Sequence, residues 1–187
     1  HVPGASSYGT AMVAELLVNF TRGPVIQNSF ARGTTVVWKT LDPTDSVVEY
    51  GPTVNMGNVV ENRELTKVHA VTLTNLEPDT LYYYRVTSSL GNRRAVSPVF
   101  AFRTLRESGP FSFTAMADMG LGGVPQYTIA EVVRGSNPDI VLAVGDLVYP
   151  AYTAGREDFR FFSVYGPHMR STPYYVVAGN HDTMVTL

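Results

Sequence analysis

The chain contains no cysteine among its 187 residues. This absence excludes disulfide bonds, thiolate metal sites and cysteine nucleophiles, because each of them needs a thiol. It leaves the cellular compartment open, since exported proteins can fold without disulfides. Charged residues are also sparse, at 16%, and nearly balanced, with 14 basic and 16 acidic side chains. The net charge of −2 gives no electrostatic reason to expect nucleic acid or an anionic membrane surface as a partner.

Long apolar runs are missing as well. The most hydrophobic stretch, residues 11–18, is interrupted by Glu15 and falls short of the ~20 residues that a membrane-spanning helix needs. The sequence therefore predicts no membrane span. Hydrophobic residues nevertheless make up 44% of the chain, a composition typical of a folded globular protein with one large or two small domains.

Two features of the N-terminal end bear on processing. The chain begins with His1 rather than methionine, which predicts either a removed N-terminal segment or a start within a longer chain. Asn19-Phe20-Thr21 is an N-x-[ST] sequon. Asn19 is therefore a predicted N-glycosylation site if a glycosylating cell exports the protein.

The N-terminal half has the pattern of short β-strands. Five segments there are predicted strands separated by turn residues: 34–40, 46–50, 67–74, 80–88 and 98–104. Asp42-Pro43 is a turn signal that separates the first segment from the second. In the third, His69, Val71 and Leu73 alternate onto one face. Several short strands within about 80 residues predict an antiparallel β-sandwich.

After residues 105–110 the pattern changes to alternating strands and helices. Predicted strands at 111–118, 139–144 and 174–178 are separated by predicted helices at 125–134 and 157–164. This order predicts a parallel α/β sheet. The unbroken apolar run at 139–144 predicts a strand buried on both faces. Ile129, Val132 and Val133 form the predicted core-facing stripe of the first helix.

Each predicted parallel strand ends in a polar cluster: Asp118-Met119-Gly120, then Gly-Asp-Leu-Val-Tyr at 145–149, then Gly-Asn-His-Asp at 179–182. The carboxyl ends of parallel strands share one sheet edge, so Asp118, Asp146 and Asn180 are expected to converge. Crowded carboxylates repel unless a cation neutralises them, and oxygen donors suit hard metal ions. Any one cluster is also explained as a turn that ends a strand. All three in order favour a metal site.

The clusters resemble the first three of five sequence blocks of the calcineurin-like metallophosphoesterases. Tyr149, three residues after Asp146, indicates the purple acid phosphatase branch. Residues 76–82, with Trp38 upstream, resemble the fibronectin type III signature, and residues 22–27 are similar to the start of the family's sandwich domain. The expected fold is therefore mixed: an N-terminal extension (1–21) with a predicted β-strand, an antiparallel fibronectin III-like or Ig-like β-sandwich (22–106), and the first part of an α/β metallophosphoesterase domain (107–187).

The resemblance implies a role for each site residue. Asp118 would bind the first metal ion, and Asp146 would bridge both ions. Tyr149 would be a phenolate ligand of a ferric ion, and Asn180 would bind the second, divalent ion. His181 would be the outer-sphere catalytic group that contacts the phosphate or protonates the leaving oxygen. The implied cofactor is a dinuclear centre of Fe with Zn, Mn or Fe. The implied reaction is metal-assisted hydrolysis of a phosphate ester by a secreted, extracellular or periplasmic enzyme.

The chain departs from the family pattern in two respects. Ala117 stands where the family usually has glycine, a minor change. The two blocks that supply histidine ligands do not occur before Leu187. Of the other histidines, His69 is predicted to be a sheet residue of the sandwich and His168 a surface residue after a helix. The 187-residue chain on its own is therefore expected to be inactive, with at most part of the metal centre bound.

Two hypotheses stay open. The chain is either the N-terminal portion of a phosphoesterase or a non-catalytic structural module that assembles into a fibril. Residues 11–20 alternate with an apolar face at even positions, which predicts an edge strand on the chain's own sandwich or a strand donated to a second copy. A Gly-His-x-His block after Leu187 would favour the enzyme, and a stop codon there would favour the module.

Overall fold

A computed structural model describes residues 18–183. Its N-terminal region is an antiparallel β-sandwich, as predicted. The six strands are β1 (Phe20–Phe30), β2 (Gly33–Gly51), β3 (Asn58–Thr74), β4 (Leu81–Leu90), β5 (Arg93–Val96) and β6 (Phe100–Arg103). β2 pairs with β3 along one edge, and on its other edge it pairs first with β1 and then with β4. β4 also pairs with β5 and β6.

β2 is one long strand where the sequence predicted two. The chain continues through Asp42-Pro43 as a strand, and only its pairing register with β3 is irregular, between Lys39 and Thr44 and again between Thr44 and Ser46. Proline has no N–H to donate and is tolerated at such a bulge. The prediction of a break was wrong because the proline marks the place where β2 exchanges β1 for β4 as its neighbour.

The sandwich core is built around the single tryptophan. Trp38 is fully buried, and its indole N–H donates to the Ser88 hydroxyl at 2.9 Å. His69 stacks on Trp38 with ring centroids 4.7 Å apart and is a buried sheet residue, as predicted. Val71 and Leu73 are buried on the same face of β3, so the predicted alternation is confirmed.

The C-terminal region is a parallel α/β layer, also as predicted. Its elements are β7 (Phe113–Met116), α1 (Val124–Gly135), β8 (Ile140–Val144), a π-helical segment (Asp158–Phe162), α2 (Ser163–Met169) and β9 (Tyr174–Val177). The three strands pair in the order β7-β8-β9, all parallel. The carboxyl ends of all three strands therefore lie at one edge of the sheet.

The burial predicted for this layer was only partly right. On α1 the buried residues are Gln126, Ala130 and Val133, whereas Ile129 and Val132 are 52% and 68% exposed. β8 buries Val141 and Ala143 but leaves Val144 half exposed, so it is not covered on both faces. Within residues 18–183, aromatic side chains of the π-helical segment and α2 pack with the buried face of β8.

The prediction for His168 was wrong. His168 lies inside α2, is only 7% exposed, and its Nδ1 forms a 2.9 Å hydrogen bond with the Tyr174 hydroxyl. The predicted helix, 157–164, ended before Gly166-Pro167. The chain instead continues as helix to Met169, which carries His168 into the core.

The two regions are joined by polar contacts. Arg22 of β1 forms an ion pair with Asp158, lies 3.5 Å from Glu157, and places its guanidinium 3.6 Å from the centre of the Phe162 ring. The Tyr84 hydroxyl donates to the carbonyl of Arg170 at 2.9 Å. These contacts hold the sandwich against the helical side of the α/β layer.

Some predictions lie outside the described residues. The strand predicted within residues 11–20 is described only from Val18 onward, and β1 begins at Phe20. The domain bounds 1–21, 22–106 and 107–187 stay predictions. In the described part of the chain, no helix has the length and apolar character needed to cross a membrane.

Candidate metal-binding site

The loops after β7 and β8 bring two aspartates together. Asp118 and Asp146 each lie two residues beyond their strand and adopt left-handed backbone conformations, with φ of 54° and 53°. L-residues rarely adopt this conformation, and aspartate is among those that tolerate it best. The Asp118 N–H donates to the carbonyl of Gly145 at 3.2 Å, and the Met119 N–H donates to the carbonyl of Asp146 at 3.1 Å. The two turns are therefore held side by side.

Glycine is required where the loops touch. A Cβ on Gly179 would collide with the main chain and carboxylate of Asp146, and a Cβ on Gly120 would collide with the carbonyl of Leu147. Only a residue without a side chain allows this approach. The three strand-end loops therefore pack at main-chain contact.

Three side-chain oxygens meet at this edge. The Tyr149 hydroxyl hydrogen-bonds to Oδ1 of Asp118 and lies 2.9 Å from Oδ2 of Asp146. A phenol has one proton and can donate it to one carboxylate at a time, so the other contact joins two oxygens with no proton between them. A bound cation would stabilise all three oxygens. Among residues 18–183, no three histidine, aspartate or glutamate side chains form a metal-holding group.

The pKa values of these groups reflect their contacts. The pKa of Asp146 is lowered, chiefly by the hydrogen bond from the main-chain N–H of His181 and further by the Tyr149 hydroxyl. The pKa of Tyr149 is raised, foremost by its hydrogen bond to the Asp118 carboxylate and then by desolvation and by Asp146. In the protein alone, Asp146 is ionised and Tyr149 keeps its proton, so the edge carries negative charge.

His181 packs against the oxygen cluster. Its ring centroid is 4.5 Å from that of Tyr149, and its main-chain N–H donates to Oδ1 of Asp146 at 2.9 Å. Its Nδ1 hydrogen-bonds to the carbonyl of Pro150. Because a carbonyl only accepts, Nδ1 must carry the proton, and the neutral ring leaves Nε2 as an acceptor.

Asn180 is less closely engaged than the other predicted site residues. It is exposed, between Gly179 and His181 in the loop after β9. Its carbonyl accepts from the Thr183 hydroxyl at 3.3 Å, and no hydrogen bond is described from its side chain to the three oxygens. The structure thus brings Asp118, Asp146, Tyr149 and His181 together and puts Asn180 in the adjoining loop.

Asp182 is a structural member of the site to which the sequence analysis gave no role. Its carboxylate accepts main-chain N–H groups of Leu147, Val148 and Gly179 at 2.7, 3.1 and 2.8 Å. An aspartate that ends a Gly-Asn-His turn is a signal for capping local N–H groups. That signal does not reveal a bond to another loop 35 residues away.

Gln126 is the second polar residue that the sequence analysis missed. It is buried in the first turn of α1, accepts the Gly122 N–H at 2.6 Å and donates to the carbonyl of Arg160 at 2.6 Å. It thereby fixes the loop after Asp118 to the π-helical segment. In the sequence, the only indication of this role was the position of Gln126 on the buried face of an apolar helix.

Two family models match the chain. The purple acid phosphatase N-terminal domain matches residues 25–104, and the calcineurin-like phosphoesterase domain matches residues 111–186. Purple acid phosphatase 15 of Arabidopsis thaliana is 32% identical over 123 residues, covering 64% of this chain and 20% of that protein. Acid phosphatase type 7 of Danio rerio is 29% identical over 177 residues, covering 85% of this chain and 38% of that protein.

A solved structure has the same fold. The purple acid phosphatase from yellow lupin (Lupinus luteus) seeds superposes with a TM-score of 0.69 at 21% identity, covering 88% of this chain and 37% of that one. The chain spans less than two fifths of the length of each of these three proteins.

Proposed function

The chain belongs to the purple acid phosphatase-like metallophosphoesterases, and on this premise we propose that it supplies the first part of a phosphate-ester hydrolase. Asp118, Asp146, Tyr149 and Asn180 are its proposed metal ligands. The observation that carries the proposal is the contact of one phenol oxygen with two carboxylates at the carboxyl edge of the sheet. Phosphate esters are the proposed substrates.

The donor set fits hard metal ions. Two carboxylates and a phenol supply oxygen atoms only, and Asn180 can add an amide oxygen. Oxygen donors of this kind suit hard cations rather than soft ones, in agreement with a dinuclear centre of iron with zinc, manganese or a second iron. When bound, the ions would act as Lewis acids on the phosphate group and would activate the attacking water.

Asp146 is the best oriented of the proposed ligands. Its Oδ1 is held by the His181 N–H at 2.9 Å, which leaves Oδ2 directed to Tyr149. A carboxylate fixed at one oxygen has little rotational freedom to lose when the other oxygen binds a cation. This arrangement supports the bridging role proposed for Asp146.

His181 is proposed to handle the proton of the leaving group. Its Nδ1 proton is committed to the carbonyl of Pro150, so only Nε2 can gain or lose a proton. A protonated Nε2 would hydrogen-bond a phosphate oxygen or donate to the leaving alcohol oxygen. Its place beside Tyr149 supports this role.

The described residues supply only part of the ligand set that the family is expected to use. His69 lies in the sandwich core and His168 hydrogen-bonds to Tyr174, so neither is a ligand. We therefore expect the 187-residue chain to hydrolyse p-nitrophenyl phosphate negligibly. Turnover that is lost in Asp146→Asn would contradict this expectation.

The metal proposal is tested by one tyrosine substitution. In the iron-loaded protein, Tyr149→Phe should abolish the visible absorption of a tyrosinate bound to ferric iron. Tyr152→Phe is the matched control, because it removes a hydroxyl from the same loop without touching the three oxygens. Equal absorption in both variants would remove Tyr149 from the metal site.

Export is a further part of the proposal. Asn19 is exposed just ahead of β1, and its carbonyl accepts the Leu41 N–H at 3.0 Å, so its side chain is accessible for modification. Secretion from a eukaryotic cell should add a glycan there. An unchanged intact mass after glycosidase treatment of the native secreted protein would contradict glycosylation.

A further inference from the structure

The three loops of the proposed site are held together in different ways. The loop after β7 is joined to the loop after β8 by three main-chain hydrogen bonds, and the last of these runs from the Tyr149 N–H to the carbonyl of Gly120 at 3.2 Å. The loop after β8, residues 145–152, and the loop after β9, residues 178–182, share one main-chain hydrogen bond, from the Tyr152 N–H to the carbonyl of His181 at 2.8 Å, and four hydrogen bonds that use side chains. The second junction therefore depends on particular residues.

Asp182 makes two of the five hydrogen bonds at that junction and a third within its own loop. Its Oδ1 accepts the N–H groups of Leu147 and Val148 at 2.7 and 3.1 Å, and its Oδ2 accepts the N–H of Gly179 at 2.8 Å. Hydrogen bonds to an ionised acceptor are stronger and better oriented than neutral ones. One carboxylate thus fixes three peptide groups that belong to two loops.

The three peptide groups adjoin the proposed metal ligands. Leu147 and Val148 lie between Asp146 and Tyr149, and Gly179 immediately precedes Asn180. The two loops are already at main-chain contact, since Gly179 has no room for a Cβ beside Asp146. A small opening of the junction would therefore move the ligands on one loop relative to those on the other.

We propose that Asp182 is a positioning residue that clamps the loop carrying Asp146 and Tyr149 to the loop carrying Asn180 and His181. The clamp presets the distance between ligands on the two loops before a metal ion binds. The metal part of this inference rests on the proposed function, whereas the clamp itself can be measured without metal.

The test is Asp182→Asn in the full 187-residue chain. Asparagine keeps the shape of the side chain, but its NH₂ group cannot accept the N–H that Oδ2 now accepts. In the metal-free protein, the amide hydrogens of Leu147, Val148 and Gly179 should exchange faster. Affinity for Mn²⁺ alone, measured by calorimetry, should fall about 10–100-fold, as is usual when a residue that orients metal ligands is lost.

Asp139→Asn is the matched control. The Asp139 carboxylate accepts the N–H of Ser112 at 2.7 Å and its hydroxyl at 3.0 Å, just before β8, at the edge of the sheet remote from the site. The variant makes the same change of charge and also breaks a link between chain segments. It should leave Mn²⁺ affinity and exchange at Leu147, Val148 and Gly179 unchanged.

Asp182→Glu separates position from charge, and it also serves if Asp182→Asn does not fold. It keeps the negative charge but displaces the carboxylate by one methylene, so faster exchange and weaker Mn²⁺ binding should persist together. If Asp182→Glu bound Mn²⁺ with wild-type affinity although its amides at Leu147, Val148 and Gly179 exchanged faster, Asp182 would act by charge alone. That result would overturn the proposal. Wild-type exchange at all three amides in Asp182→Asn would overturn it as well. If the wild-type chain binds no Mn²⁺, the metal site proposed for this chain fails, and the exchange rates still decide the clamp.

Discussion

The sandwich and the α/β layer differ in how the central strand of each sheet is covered: both faces of β2 are mostly shielded, whereas β8 leaves Val144 half exposed. In the sandwich, the large side chains of Trp38, Tyr84, Leu73 and Phe102 are almost completely buried between the strands. In the α/β layer, one face packs against the helices and the sandwich, while several large apolar residues stay exposed: Phe113, Ile129, Val132, Val144, Val176 and Val177.

The two regions also differ in how their polar side chains are hydrogen-bonded. In the sandwich, both ring nitrogens of the buried His69 have hydrogen-bond partners, the hydroxyls of Ser46 and Thr40 at 2.8 and 2.9 Å. At the edge of the α/β layer, one phenol oxygen contacts two carboxylates and can donate its proton to only one of them at a time. The hydrogen bonds of His69 satisfy a buried polar side chain and help to specify the fold, whereas the three oxygens at the sheet edge are exposed or partly exposed to solvent.

The largest expected change in stability comes from a substitution in the buried core of the sandwich. Trp38→Ala should lower the free energy of unfolding by about 4 kcal/mol, because it leaves a cavity and removes the partner of Ser88. Phe113→Ala, on the exposed face of the α/β layer, should cost less than about 1 kcal/mol. Urea unfolding followed by circular dichroism measures both. Equal losses would show that the exposed face is covered in solution and would break the comparison.

The second expected effect is a pH dependence that originates in the sandwich. Burial lowers the pKa of His69 to about 4, with Asp45 opposing the change, whereas the unfolded value is about 6.5. The folded state therefore disfavours the charged ring. Its stabilisation is complete above pH 6.5 and is lost as the pH falls through 4. The loss should reach about 3 kcal/mol at low pH.

His69→Gln should remove this part of the pH dependence, and His181→Gln, in an open loop, should retain it. Unfolding free energies between pH 7 and pH 4 compare the three proteins. The assignment to His69 would be wrong if the wild-type slope persisted in His69→Gln.

A smaller effect is expected at the junction of the two regions. Arg22→Met removes the ion pairs to Glu157 and Asp158 and leaves both carboxylates with the more distant Lys39, at 3.9 Å. Because Arg22 is 12% exposed, we expect a loss of about 2 kcal/mol. Arg32→Met breaks an exposed pair with Glu107 and should cost less than about 1 kcal/mol. Similar denaturation midpoints for both variants would argue against a stabilising junction.

Sequence patterns predicted the strands and helices better than they predicted which neighbouring elements pack against them. Alternation at His69, Val71 and Leu73 identified β3 because a strand's own periodicity decides its buried face. The continuity of β2 through Pro43 and the burial of His168 depend on neighbouring elements, which no local pattern contains.

The same division applies to the site. The polar clusters predicted that Asp118 and Asp146 converge, because parallel strands end at one edge. The bonds from Asp182 and Gln126 to distant main-chain groups could not be predicted, since they follow from how the loops pack. The exposure of Ile129 was missed for the same reason.

The central claim is that Asp118, Asp146 and Tyr149 hold a metal ion, and a crystal structure of the manganese- or iron-soaked chain tests it most directly. The account predicts an anomalous scattering peak within about 2.0–2.4 Å of an oxygen from each of the three side chains. A peak only at the carboxylates of Glu157 and Asp158, or no peak with the three oxygens still in mutual contact, would contradict it.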